Sequence, residues 1–336
     1  MRNLELKPME HIGSLDGLRA LSAILIATFH AAMPGLPGGY LAVDVFFVIS
    51  GYLITRLLLM EFGRTGTIAY RAFVFRRLRR LWPGLLFMLA LYLFLTPWFF
   101  STISWSRHWR DAALSALYLI NYASSEDGVA VLRHTWSLAV EMQFYLLWPP
   151  LLILTLRLPR HGAIVAMLVM YAGVSAWRCW SSANISPWGF YPHMDSHSSG
   201  LILGCLLGYI NTRISSYWSL PAIILLAFCM TFFSTGWQSS AYYGFTLAEI
   251  GAGILVLSQP RWLGVAPLVW LGKMSYGLYL WHYPIMHLAK DQEGWEWPQV
   301  LLLGCGVALL LATLSHYLLE RRFYQPHFSR QRKGLA

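Results

Sequence analysis

Two ionisable residues stand where a bilayer would make them costly. Arg19 and His30 fall inside D-G-L-R-A-L-S-A-I-L-I-A-T-F-H-A-A-M, residues 16–33, a run that is otherwise mostly apolar. Ten residues lie between them. Eleven helical steps of about 100° make three turns and about 20° more, so both side chains leave one face. They lie about 16 Å apart along it, roughly half the hydrocarbon thickness of a bilayer. A fixed cation toward one leaflet suits anion binding, and an imidazole toward the other suits proton transfer. Intramembrane ionisable groups are functional candidates by default.

Two carboxylates extend this picture. Asp44 sits at the start of the next apolar run, and Glu141 lies in H-T-W-S-L-A-V-E-M-Q-F-Y. Depth along their spans predicts that His30, Asp44 and Glu141 converge in one outward-leaning cavity. A carboxylate beside a histidine orients the ring and supports its protonated form, which makes a general base able to activate a hydroxyl. On the opposite side, Arg76, Arg77, Arg79 and Arg80 form two i, i+3 pairs in F-R-R-L-R-R-L-W-P. Arginine forks grip phosphate oxygens, although basic residues next to spans also serve simply to orient them. In G-K-M-S-Y-G-L-Y-L-W-H-Y-P-I, residues 272–285, the residues Tyr276, Tyr279 and His282 share a broad helical face with Ser275 nearby. That stripe can line a substrate tunnel or hold helices together.

The elements that must position these residues are membrane helices. Hydrophobic residues make up 57% of the 336 residues and charged ones 12%, about half the charged share of a soluble domain. The chain is therefore expected to be an all-α, multi-pass membrane protein forming one domain over residues 1–336, with no appended soluble domain. Apolar runs predict ten spans, at about 15–33, 40–61, 81–98, 134–156, 161–178, 198–212, 218–235, 241–258, 264–288 and 298–319. The stretch 112–123 is short for a span and is expected to be a re-entrant or interfacial helix. With that choice the Arg157/Arg160, Arg213 and Arg261 loops all fall on the cytoplasmic side, together with the basic tail. Both termini are then cytoplasmic, and the first span is expected to act as an uncleaved signal anchor. Residues 179–197 are expected to form an aromatic outer loop.

Several classes are disfavoured. The net charge of +10 is better explained by cytoplasmic loops than by nucleic acid. The four cysteines contain no C-x-x-C pair and suggest neither a disulfide framework nor a metal site. His193, Asp195 and His197 alternate, but no further ligand joins them, so a solvated loop is preferred to a metal centre. No P-loop or dinucleotide fingerprint is present.

Taken together, the motifs resemble the bacterial acyltransferase family 3 of integral membrane O-acyltransferases. Five blocks carry the likeness in order: S-L-D-G-L-R-A with His30 following; G-G-Y-L-A-V-D-V-F-F-V-I-S-G-Y-L-I-T; F-R-R-L-R-R-L-W-P; H-T-W-S-L-A-V-E-M-Q-F-Y-L-L-W-P; and S-Y-G-L-Y-L-W-H-Y-P-I. The resemblance implies transfer of an acyl group, usually acetyl, from cytoplasmic acyl-CoA to a hydroxyl of an extracytoplasmic carbohydrate or glycolipid. The acceptor could be an O-antigen of lipopolysaccharide, an exopolysaccharide or a lipo-oligosaccharide, and transfer could pass through a separate acyl-accepting protein. It implies a place in the bacterial cytoplasmic membrane, no metal, and His30 as the catalytic histidine with Glu141 and Asp44 in support. Arg19, Arg76, Arg77, Arg79 and Arg80 would meet the donor, acetyl-CoA. Trp136, Ser137, Tyr276, Tyr279 and His282 would meet substrate. One departure is that many relatives carry an arginine two residues before the aspartate ahead of the seventh span, where this chain has His193 before Asp195. The rival reading is a transporter or flippase for a polar lipid or acyl sugar. Intramembrane charge fits that too, but no matched halves with broken helices are visible.

Overall fold

The computed structural model describes residues 11–123, 131–235, 238–290 and 294–323. Among the described residues the chain is all-helical, with no strand. Its helices are α1 (Gly13–His30), α2 (Ala42–Thr65), α3 (Tyr70–Phe99), α4 (Trp105–Ala116), α5 (Trp136–Leu156) and α6 (Arg160–Asn184). Two single turns follow, α7 (Pro187–Phe190) and α8 (Met194–His197), then α9 (Ser199–Ile210), α10 (Ser219–Phe232) and α11 (Phe245–Ser258). The last long pair is α12 (Ala266–Lys290) and α13 (Trp297–Ser315). Six helical stretches among the described residues are long and apolar enough to cross a membrane: Gly39–Thr65, Tyr70–Phe99, Arg133–Leu156, Arg160–Asn184, Ser240–Ser258 and Trp297–Phe323. The protein is thus multi-pass. Helices α1 and α12 fall outside that set and carry Arg19, His30 and His282, while α9 and the Ser216–Phe232 stretch are apolar but shorter.

Three sequence expectations need correction. The arginines 76–80 do not sit in a loop before a span beginning at 81; they lie within the first three turns of the 30-residue α3. The reason is that Phe73, Leu81, Leu85 and Met88 continue one buried apolar face straight through the basic run. Helix α6 does not stop near 178 but runs to Asn184, and the loop after it is not simply solvated: Ser196 and His197 are each only 1% exposed. The short apolar stretch near 112–123 is α-helical only to Ala116, in a helix that starts at Trp105, and then makes a single 3-10 turn at Ile120–Tyr122. Its buried His108, Asp111, Ala112 and Ser115 recur at helical spacing, and it lies against α3, where Tyr92 OH meets His108 Nδ1 at 2.6 Å. Residues 330–333 of the basic tail lie outside the described residues.

Helices α1 and α12 run side by side in one direction. Near one end Gly272 meets Asp16, and near the other His282 meets His30. Small residues permit this approach: a Cβ on Gly17 would stand 1.8 Å from Leu263 O, and one on Gly272 would stand 2.0 Å from Asp16 O. Backbone atoms cannot swing aside as a flexible side chain can. Gly272→Ala should therefore separate the two helices, at a cost near or above the upper end of the usual overpacking range, about 3 kcal/mol. A thermal scan of the detergent-solubilised protein checks this; an unchanged melting temperature would contradict the close packing. Helix α2 pairs with α9 in the same way, with Gly204 against Val48 O and Gly51 against Leu201 O.

Candidate active site

His30 is the last residue of α1. The chain turns just beyond it through Ala32, whose φ of +61° is left-handed, and then through Pro34 and Gly35. The ring is part-buried, and its Nδ1 lies 2.8 Å from His282 Nε2 on α12. The tautomers follow from the partners. His282 Nδ1 faces only carbonyl oxygens, Tyr279 O at 2.8 Å and Leu278 O at 3.1 Å, so it must carry hydrogen and donate. His282 Nε2 is then the acceptor, and His30 Nδ1–H donates to it. That leaves His30 Nε2 as a lone pair with no hydrogen bond among the described residues. A third histidine closes the group. His134, just before α5, donates from Nε2 to Leu280 O at 3.1 Å and stacks on Tyr283 at 5.0 Å between ring centroids. His30 lines an outer cavity of about 250 Å³ whose walls are largely aromatic, including Tyr40, Trp136, Tyr191 and Tyr283, with Arg133 at its edge. His30 and Tyr283 also border a smaller cavity of about 120 Å³, beside His287 and Lys290.

A second, inner cavity of about 50 Å³ lies deeper between α1, α2, α5 and α12. Arg19, Ser50, Ser137, Glu141, Ser275, Tyr276 and Tyr279 line it. The guanidinium of Arg19 stands over the Phe46 ring at 5.9 Å and makes no hydrogen bond among the described residues. Glu141 is fixed by two donors, Ser50 Oγ and Tyr145 OH, the latter at 2.5 Å, both onto Oε1. Val43 and Tyr279 line both cavities and form the wall between them. Tyr279 is held in that wall by its own hydroxyl, which donates to His134 O at 2.6 Å and accepts from Ser137 Oγ at 2.6 Å.

The expected convergence of His30, Asp44 and Glu141 does not occur. The three are divided among three places. Glu141 lies five residues into α5, about 7.5 Å from its start, and faces Ser50, which is six residues and about 9 Å beyond Asp44 on α2. Asp44 is fully buried and lines neither cavity; its Oδ1 lies 3.2 Å from His197 Nε2. His197 Nδ1 donates to Tyr191 O at 2.7 Å, so Nε2 can face a carboxylate favourably only if one proton lies between them. The angle at that contact is poor for a hydrogen bond, and both atoms are otherwise unpartnered among the described residues. Nearby, Glu249 accepts from Tyr171 OH at 2.7 Å and from Ser199 Oγ, and lies 3.5 Å from Arg178 Nη1, with Glu249, Ser199 and Arg178 all buried. Asp195 accepts from Trp177 Nε1 at 2.8 Å, and no metal-binding group of three ligands occurs among the described residues.

The arginines of α3 also divide. Arg76 donates to Glu61 Oε2 at 2.9 Å, while Glu61 Oε1 accepts from Ala69 N–H, so this pair pins the turn between α2 and α3. Arg77 lies over Phe73 and Tyr145, and Arg80 follows it three residues on, half-buried. Arg79 is exposed and stands over Phe75. Of the tunnel stripe, Tyr276 donates to Leu81 O at 2.5 Å and lines the inner cavity, and His282 meets His30. Trp136 lines the outer cavity and Ser137 the inner one. Sequence reasoning missed His134 and Ser50, and noticed His197 only as part of an alternating pattern with His193 and Asp195, not as the neighbour of Asp44. The first opens the H-T-W-S block and could have been noticed there, whereas nothing in the local sequence marks Ser50.

A helical membrane protein with an arginine-lined cavity joined by a shared wall to a histidine-lined one has the layout of a membrane-embedded group-transfer enzyme. Comparison with known proteins agrees. The acyltransferase domain of acyltransferase family 3 matches residues 12–317, and the chain belongs to that family. It is 29% identical to the peptidoglycan O-acetyltransferase OatA of Listeria monocytogenes, over 97% of this chain and 58% of that protein. It is 32% identical to the O-acetyltransferase OatA of Staphylococcus aureus, over 92% of this chain and 57% of that protein. The chain thus spans a little over half the length of these relatives. No solved structure matches it.

Proposed function

We propose that the chain is a membrane O-acetyltransferase that moves acetyl from cytoplasmic acetyl-CoA to a hydroxyl of an extracytoplasmic carbohydrate. The observation that carries this reading is the single wall of Val43 and Tyr279 between the cavity of Arg19 and the cavity of His30. The parallel run of α1 with α12, and of α2 with α9, supports ten crossings of the bacterial cytoplasmic membrane with both termini inside. In such a path, α1 and α12 both lead outward and α2 and α9 both lead inward.

The steps then balance as follows. His30 Nε2 takes the proton of the acceptor hydroxyl, and that oxygen attacks the thioester carbon. The C–S bond breaks, and the proton on His30 passes to the departing sulfur to give the CoA thiol. His282 receives the Nδ1–H bond throughout and stabilises the ring when it carries both protons. Arg19 and the α3 arginines beyond Arg76 hold the donor, Glu141 orients it, and Asp44 acts through His197 as a positioning residue. The aromatic outer cavity suits the flat apolar faces of a sugar ring. Peptidoglycan, for which the Listeria relative is named, is the first acceptor to test, ahead of O-antigen, exopolysaccharide and lipo-oligosaccharide.

Purified protein given radiolabelled acetyl-CoA and glycan fragments should move label to the glycan. A transporter or flippase would leave the thioester intact, and that outcome would end this reading. The same assay separates the arginines. Losing a charge-assisted hydrogen bond costs about 1.5–3 kcal/mol. Arg80→Ala should therefore raise KM for acetyl-CoA by about tenfold or more. Arg76→Ala should change it far less, because Arg76 is committed to Glu61.

A further inference from the structure

Ser275 departs from the habit of its neighbours. Hydroxyls on these helices usually bond back to their own backbone: Ser22 to Leu18 O, Thr28 to Leu25 O and Thr155 to Leu152 O. Ser275 is 0% exposed, lines the inner cavity, and its Oγ has no hydrogen-bond partner among the described residues. An unpaired buried hydroxyl bears its full desolvation cost, which is tolerable where a ligand supplies the missing bond. Across the same cavity Glu141 uses Oε1 for both of its donors, and Oε2 accepts nothing among the described residues. Apart from the guanidinium of Arg19, the cavity thus offers one vacant donor, the Ser275 hydroxyl, and one vacant acceptor, Glu141 Oε2.

A phosphate would suit Arg19 but does not match the Ser275 and Glu141 pair. It carries only acceptors, and the Glu141 carboxylate would repel it. An amide does match, since its carbonyl accepts and its N–H donates. We infer that the inner cavity is a subsite for an amide of the donor's pantetheine arm, Ser275 Oγ–H donating to the amide carbonyl and Glu141 Oε2 accepting from the amide N–H. This rests on the acyl-CoA reading above and assigns the donor's phosphates to the arginines of α3 instead of to this cavity. The position also suits the chemistry. Ser275 lies seven residues before His282 on α12, about 10 Å along the helix and on nearly the same face. An arm held at Ser275 is thereby aimed past Tyr279 toward His30.

The test uses the full-length protein in detergent with two donors, acetyl-CoA and ethyl thioacetate, the second of which has a thioester but no amide. Ser275→Ala should raise KM for acetyl-CoA about tenfold with kcat within about twofold, and should leave ethyl thioacetate turnover as in the wild type. Ser275→Thr, which keeps the hydroxyl, should restore most of the loss. Without ligand the alanine variant should melt no lower than the wild type, because the hydroxyl it loses was unpaired, while the thermal shift caused by acetyl-CoA should shrink. An unchanged KM for acetyl-CoA would remove the subsite and leave the donor reading standing. So would a fall in melting temperature of the ligand-free alanine variant, since it would reveal a structural partner. If the wild type consumes no acetyl-CoA, the donor reading falls and the subsite with it.

Discussion

Replacing His30 with alanine should lower acetyl transfer by about a thousandfold or more while leaving a folded protein that still binds CoA. General acid–base catalysis by one positioned side chain contributes about a hundred- to ten-thousandfold. Here the same ring serves twice, as base toward the acceptor and as acid toward the leaving sulfur, which places the loss toward the upper part of that range. The fold should survive, because His30 is the last residue of α1, is only part-buried, and gives up one hydrogen bond on removal. The inner cavity, with Arg19 about 16 Å away along the helix, keeps its lining. The measurement pairs label transfer with the thermal shift induced by CoA. Loss of transfer with the shift retained is expected. Full transfer by the alanine variant would show that the proton is taken by another group, for which His282, 2.8 Å from His30 in the intact site, is the nearest candidate.

Much of this arrangement was legible in the sequence, and the reason is periodicity. The eleven-step spacing of Arg19 and His30 fixes them to one stripe whatever surrounds the helix, and the structure keeps that stripe along two adjoining cavities. The all-helical class followed from apolar content in the same way. What failed was anything that depended on how stripes from different helices mesh. Asp44, Glu141 and His30 were assigned similar depths, but depth does not fix rotation. Residue 44 turned out to face α8, where His197 lies behind the aromatic wall of the outer cavity. Glu141 turned toward α2, where Ser50 holds it. The partner of His30 was visible only as a polar residue on a distant helix, 252 positions away. Nothing local distinguishes a histidine that meets substrate from one that orients another histidine. The arginine run misled in a different way, since charge density suggested a loop while a buried stripe beneath it continued the helix.

The contact of His282 with His30 leads to the second large effect. If it sets the tautomer of His30, its replacement should slow chemistry without weakening donor binding. His282→Phe keeps a ring of similar breadth but cannot accept from His30 Nδ1–H. The His30 ring then loses its fixed orientation, and its doubly protonated form loses the bond that supports it. Removing a partner that orients a metal-binding histidine costs about ten- to a hundredfold in comparable networks. In a Ser-His-Asp triad, disabling the orienting group costs about ten-thousandfold. A neutral imidazole supports positive charge less than a carboxylate does, so a fall of about a hundredfold in kcat is expected, with KM for acetyl-CoA within about twofold. His282→Gln supplies the decisive comparison. Its amide oxygen can accept where Nε2 did, so it should recover about tenfold over the phenylalanine variant despite its poorer shape. Helix packing alone would favour the ring, because His282 is only 2% exposed and lies against Tyr279 and His134. A phenylalanine variant more active than the glutamine variant would therefore assign His282 to packing, and would leave the orientation of His30 to the end of α1 itself.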